Sequence, residues 1–136
     1  MTAVTVIGAG AWGTALADAL ARNGHATTLW AREADVVAEV NAAHRNTRFL
    51  AGVSLHPALR GEGDLATAVR DAAVIVFVAP SHVLRAVARA AAPAVPVDAL
   101  LVVATKGIER DTFALMTDVV AQELPGRRVV ALSGPS

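Results

Sequence analysis

The sequence predicts a doubly wound α/β fold on a parallel sheet, and two patterns point to it. Apolar runs of strand length, rich in β-branched residues, recur along the 136-residue chain, and they are mostly non-alternating, as strands covered on both faces must be. Between them lie segments with apolar residues at helical spacing. The resulting β-α-β-α order calls for right-handed crossovers.

The first strand is expected over residues 3–7. The helix over 11–22 carries Ala15, Leu16, Ala19 and Leu20 at helical spacing and stops at Asn23-Gly24. A second strand over 27–30 leads to a helix over 34–45, with Val36, Val37 and Val40 on one side and Asp35 and Glu39 on the other. Residues 46–63 are rich in turn formers and hold only a weak strand candidate at 53–55. Asp64 caps a short helix to about Arg70, and a strand over 73–79 follows. Ser81 caps a helix whose stripe is Val83, Leu84, Val87 and Ala91, ended by Pro93. A strand over 100–104, a helix over 111–123 with Leu115, Met116, Val119 and Val120, and a strand over 129–132 complete the order.

The length fits one domain. Hydrophobic residues at 54% and charged residues at 18% describe a well-buried globular chain rather than a disordered one. With 12 basic and 12 acidic residues there is no bulk attraction to nucleic acid or to an anionic membrane. Cysteine is absent, which excludes disulfides and Cys-based zinc sites, and His25, His44 and His56 form no metal-ligand spacing. The start "MTAVTVIGAG" lacks a positive n-region and reads as strand and turn rather than a secretory signal. The most apolar run, 72–80, falls well short of the roughly 20 residues that span a bilayer. A soluble, cytoplasmic protein without membrane insertion is expected. The chain ends at "LSGPS" directly after a strand, which suggests a fragment or a gene lacking its second half.

Gly8-Ala9-Gly10-Ala11-Trp12-Gly13 matches G-x-G-x-x-G. Glycines gather in many turns, but here the motif follows an expected strand and opens an expected helix, the context that makes it informative. Gly8 permits the tight turn, Gly10 lets backbone approach a pyrophosphate, and Gly13 lets helix and strand pack closely. The helix N-terminus adds free N–H groups and a positive dipole. These residues predict a Rossmann-type site for NADPH or NADH; a strand–turn–helix needing glycine only for packing is the plainer alternative.

Cofactor choice is made at the end of the second strand, about 20 residues on. Arg32 there can pair with a 2′-phosphate or lie over adenine, whereas the adjacent Glu33 opposes phosphate binding; NAD and NADP both stay open. Lys106 is the sole lysine among the 12 basic residues and follows the strand over 100–104, at the carboxyl edge where open α/β sheets bind ligands. Gly107 beside it allows close backbone approach. From these facts alone a surface lysine remains the simpler role.

Six segments together, "VIGAGAWGTALA", "LWAR", "NTRFLAGVSLHP", "VAPSH", "ATKGIE" and "LSGPS", resemble in order and spacing the N-terminal domain of bacterial NAD(P)-dependent glycerol-3-phosphate dehydrogenases. The resemblance implies hydride exchange between dihydroxyacetone phosphate and sn-glycerol 3-phosphate with NADPH or NADH, feeding phospholipid synthesis. It implies that Ala11, Trp12, Arg32 and Lys106 contact the dinucleotide, and that Lys106, Gly134 and Ser136 bind substrate. Ala11 replaces a serine common in the family, Glu33 stands where a basic or imidazole side chain is frequent, and Ala51 replaces a usual proline. The family's lysine acid/base belongs to a helical C-terminal domain, so no catalytic residue is expected within these 136 residues. A homodimer of the full-length enzyme is compatible with the resemblance.

The remaining candidates have plainer roles. His82 could donate a proton or touch a cofactor, but it also fits an ordinary place in a first helical turn. Arg85 and Arg89, four apart, read as a solvated helix face before a phosphate-binding pair. No G-x-S-x-G nucleophile elbow is present. Two classes of function therefore stand: a dehydrogenase domain incomplete by itself, and a stand-alone dinucleotide-binding module without turnover. A related NAD(P)-dependent reductase is a further enzyme alternative.

Overall fold

A computed structural model describes residues 2–132. Six strands, β1 (Ala3–Ile7), β2 (Ala26–Trp30), β3 (Arg60–Glu62), β4 (Val74–Phe77), β5 (Leu100–Val103) and β6 (Arg128–Ala131), form one sheet in the order β3-β2-β1-β4-β5-β6. Every pairing is parallel. This is the doubly wound order of the Rossmann fold, and the chain reverses its direction of travel between β1 and β4.

Five α-helices among the described residues cover the sheet: α1 (Ala11–Arg22), α2 (Ala34–Ala43), α3 (Leu65–Val69), α4 (Leu84–Ala91) and α5 (Met116–Glu123). Side chains alternate across each strand, so the sheet has two cores. Val4, Val6, Leu29 and Val76 pack with Ala17, Val36 and Val40 from α1 and α2. Ile7, Ile75, Phe77 and Leu101 pack with Leu84, Ala88 and Val120 from α4 and α5. Two-sided burial explains the continuous apolar strands. Phe77 is fully buried, and truncating such a side chain to alanine costs about 3–5 kcal/mol.

Several boundaries depart from expectation. The segment 53–55 is not a strand; the edge strand is β3, whose Arg60-Gly61-Glu62 has no apolar signature and is held through β2. The last helix begins at Met116 rather than 111. Before it, Phe113 takes a left-handed φ of 59°, Glu109 N–H donates to the Ala114 carbonyl at 2.9 Å, and Ile108 bridges Leu115 in antiparallel fashion. One residue in that conformation interrupts a right-handed helix. Ser81 is not a cap: the Val83 N–H bonds the Pro80 carbonyl at 3.0 Å, and α4 starts after Val83 without a side-chain cap. Asp64 does cap α3, accepting from the Thr67 N–H at 3.0 Å, and the Thr67 hydroxyl, followed by that N–H, holds its carboxyl below the usual range.

Candidate functional site

The turn after β1 is shaped by two steric demands. Gly8 has φ +122°, and a Cβ there would stand 2.8 Å from the Ala79 nitrogen and the Val78 carbonyl carbon. A Cβ on Gly13 would lie 1.9 Å from the Gly8 carbonyl oxygen. Both glycines are thus required by the close approach of β1, β4 and α1. Gly10 is different, because no described atom beyond its chain neighbours stands within 4 Å of a Cβ placed on it. Gly10 is also the N-cap of α1 and supplies no side-chain cap, so the first turn presents backbone N–H groups at the positive end of the helix. Ala11 and Trp12 follow, both exposed, with Trp12 at 56%.

Sequence reasoning missed the residue that braces this turn. Asn46 is fully buried; its Nδ2 donates to the Ala9 carbonyl at 2.9 Å and to the Thr14 hydroxyl at 2.8 Å. Its Oδ1 accepts from the Phe49 N–H at 3.2 Å. An asparagine in "HRNTR" carries no local signature of this bracing, since the partners of its Nδ2 lie more than 30 residues away in the chain.

Two clefts flank the turn and share Gly10, Val78, Ala79 and Pro80. One, of about 320 Å³, is walled by Trp30, Arg32, Glu33, Phe49, His82 and Val87. Arg32 stands at its rim with its side chain 81% exposed, and its Nη2 is 4.0 Å from the Glu33 carboxylate. Trp30 is steadied by an indole N–H bond to the Gly63 carbonyl at 3.1 Å. His82 therefore faces a cleft, ahead of α4 rather than inside its first turn. Phe49 was not anticipated, and it lies under the Arg48 guanidinium at 5.4 Å.

The second cleft, of about 780 Å³, is walled by Ala11, Trp12, Ser81, Thr105, Lys106 and Leu132. Lys106 follows β5, and Thr105 ties that strand end to β4 by donating its hydroxyl to the Ala79 carbonyl at 2.7 Å. Gly107, at φ +129°, brings the backbone to Ser81: a Cβ there would lie 3.6 Å from the Ser81 Cβ. The structure thus gathers Gly8, Gly10, Ala11, Trp12, Gly13, Arg32 and Lys106 around the carboxyl ends of β1, β2, β4 and β5. Gly134 and Ser136 lie outside the described residues.

Arg85 is half-buried rather than part of a solvated face, whereas Arg89 stays largely exposed. Arg85 grips both Glu109 oxygens at 2.8 Å and reaches Glu123 at 2.7 Å, while Arg89 bonds Glu123 at 2.9 Å. The guanidinium groups hold the Glu109 and Glu123 carboxyls down to about 2. The network pins the loop that follows Lys106 to α4 and α5. Among the described residues no three His, Asp or Glu side chains converge as metal ligands, and no helix is long and apolar enough to cross a membrane.

Comparison with known proteins covers nearly the whole chain. A family model described as NAD-dependent glycerol-3-phosphate dehydrogenase N-terminus matches residues 3–136. A glycerol-3-phosphate dehydrogenase [NAD(P)+] of Caulobacter vibrioides is 49% identical over 133 residues, 98% of this chain and 40% of that protein. One of Paramagnetospirillum magneticum is also 49% identical, over 100% of this chain and 49% of its own length. Among solved structures, glycerol-3-phosphate dehydrogenase from Coxiella burnetii superposes with a TM-score of 0.90 at 33% identity, covering 98% of this chain and 41% of that one. The chain spans less than half the length of these relatives.

Proposed function

We propose a function from one premise: the chain belongs to the NAD-dependent glycerol-3-phosphate dehydrogenase N-terminal family. It binds NADPH or NADH across the two clefts, as the dinucleotide-binding part of an enzyme that interconverts dihydroxyacetone phosphate and sn-glycerol 3-phosphate. The observation that carries this reading is the contrast among the glycines. Packing requires Gly8 and Gly13, whereas a Cβ on Gly10 would meet nothing among the described residues beyond its chain neighbours, and Gly10 stands before an uncapped helix N-terminus. That cradle fits a pyrophosphate.

Residue roles follow from placement. Gly10 and Ala11 offer backbone N–H groups, Trp12 supplies an exposed indole face, and Arg32 at the rim of the smaller cleft meets the adenosine end. Lys106 faces the larger cleft, where a compact ammonium can serve a ribose and an anionic substrate together. When bound, the dinucleotide supplies the hydride that reduces the ketone. Lys106 also offers positive charge near a carbonyl oxygen that becomes negative during reduction. Gly134 and Ser136 are proposed substrate contacts on the resemblance alone.

The reading extends to a cytoplasmic enzyme of phospholipid precursor synthesis, homodimeric at full length and without nucleic-acid partners. The 136-residue chain by itself binds cofactor without appreciable turnover. The test joins it to the remaining length of the Caulobacter relative and follows NADPH oxidation with dihydroxyacetone phosphate. Ketone-dependent oxidation by the joined protein alone is the expected result. A folded joined protein that binds NADPH yet leaves this ketone untouched would contradict the substrate assignment; turnover by the chain alone would contradict its incompleteness.

A further inference from the structure

We propose that Asn46 is a positioning residue: it holds the Ala9 carbonyl inward, turns the Gly10 N–H outward toward a bound phosphate, and locks the loop 46–50 to the glycine turn. This rests on the dinucleotide reading above and adds a residue that lies outside the motif.

A primary amide buried at 0% exposure is costly unless both its donor hydrogens and its oxygen are used. In Asn46 they are. Nδ2 reaches the Ala9 carbonyl and the Thr14 hydroxyl, Oδ1 takes the Phe49 N–H, and the Asn46 carbonyl takes the Leu50 N–H at 2.8 Å. The Thr14 hydroxyl in turn donates to the Ala9 carbonyl at 3.1 Å. Ala9 therefore has its oxygen held by two buried donors from different segments.

The consequence comes from peptide geometry. None of the described peptide bonds is cis, and in a planar trans unit the C=O and the next N–H point in opposite directions. Fixing the Ala9 oxygen toward Asn46 and Thr14 fixes the Gly10 N–H away from them, and Gly10 is itself exposed. Helix α1 does not secure this plane, because Gly10 is its extended N-cap with φ −65° and ψ −176°. The same amide carries Phe49, which walls the smaller cleft. Asn46 thus touches the phosphate cradle through Nδ2 and the adenosine-side wall through Oδ1, two contacts that Asn46→Asp separates.

The test titrates the 136-residue chain and its Asn46→Asp and Thr14→Val variants with NADPH, NADH and adenosine. Quenching of Trp12 and Trp30 and calorimetric heat report binding, and circular dichroism reports folding. Asn46→Asp keeps shape and the acceptor for Phe49 but sets an oxygen against the Ala9 oxygen. It should weaken both dinucleotides roughly tenfold, leave adenosine within about twofold, and shift the Gly10 amide resonance. Unchanged dinucleotide affinity in the folded variant, or equal loss of adenosine and dinucleotide, overturns the proposal. If Asn46→Asp does not fold, Thr14→Val decides by the same pattern at roughly threefold. If the folded unmodified chain binds neither dinucleotide, the parent reading falls instead, and an unmoved Gly10 resonance in the variants overturns the bracing by itself.

Discussion

Gly13 lies against Gly8 so closely that a Cβ on Gly13 would stand 1.9 Å from the Gly8 carbonyl oxygen. The contact is backbone against backbone and cannot be relieved by a rotamer change. Gly13→Ala should therefore destabilise the fold by about 3 kcal/mol or more. Gly10→Ala, with open space around it, should leave the thermal midpoint nearly unchanged while weakening dinucleotide binding at least about tenfold. Thermal melts paired with titrations separate the two glycines; equal loss of stability in both variants would remove the distinction.

Arg32 stands free of the core, so its removal tests cofactor choice without a folding penalty. Arg32→Ala should lower NADPH affinity roughly five- to tenfold and NADH affinity less than about twofold, since only NADPH offers a 2′-phosphate to a solvated guanidinium. Titrations with both dinucleotides decide it. Parallel losses would place Arg32 over adenine rather than on a phosphate.

The Arg85 network gives stability a defined acid limb. Glu109 and Glu123 titrate at about 2 when folded against a usual 4.5, so each binds protons more weakly in the native state. Their stabilising effect is complete above pH 4.5 and is lost as pH falls from there through about 2. Arg85→Met should melt lower than the unmodified chain at neutral pH, and the gap should close as pH falls through that window. A gap that persists at the acid end would mean that Arg85 acts by packing alone.

Lys106→Arg keeps the charge but replaces a compact ammonium with a broad fork. In the chain joined to the rest of a relative, kcat/KM for dihydroxyacetone phosphate should fall roughly tenfold or more. NADPH affinity of the 136-residue chain should change by less than about threefold. Unchanged kinetics would return Lys106 to an ordinary surface role.

Where burial is two-sided and contacts are local, the fold was legible in advance. The strands with Val6, Ile75 and Leu101 announce themselves because a covered strand must be apolar throughout. Gly8 and Gly13 were legible because the turn demands them sterically. Edge strand β3 was not, since Arg60 and Glu62 gain their place from pairing with β2 rather than from burying a face. The start of α5 was misplaced because Phe113 is held in a left-handed conformation within a loop clamped by Arg85 through Glu109, 24 residues away in the chain. Arg85 reads as solvated in the sequence for the same reason, whereas Arg89 is exposed as expected. Asn46 was invisible, as its worth lies in the Ala9 carbonyl it meets only after folding.

The most direct test of the central claim is a calorimetric titration of the folded 136-residue chain with NADPH and with NADH. The account predicts saturable one-to-one binding of at least one of them, abolished or weakened at least about tenfold by Gly10→Ala. A cooperatively melting chain that gives no binding of either dinucleotide would contradict it.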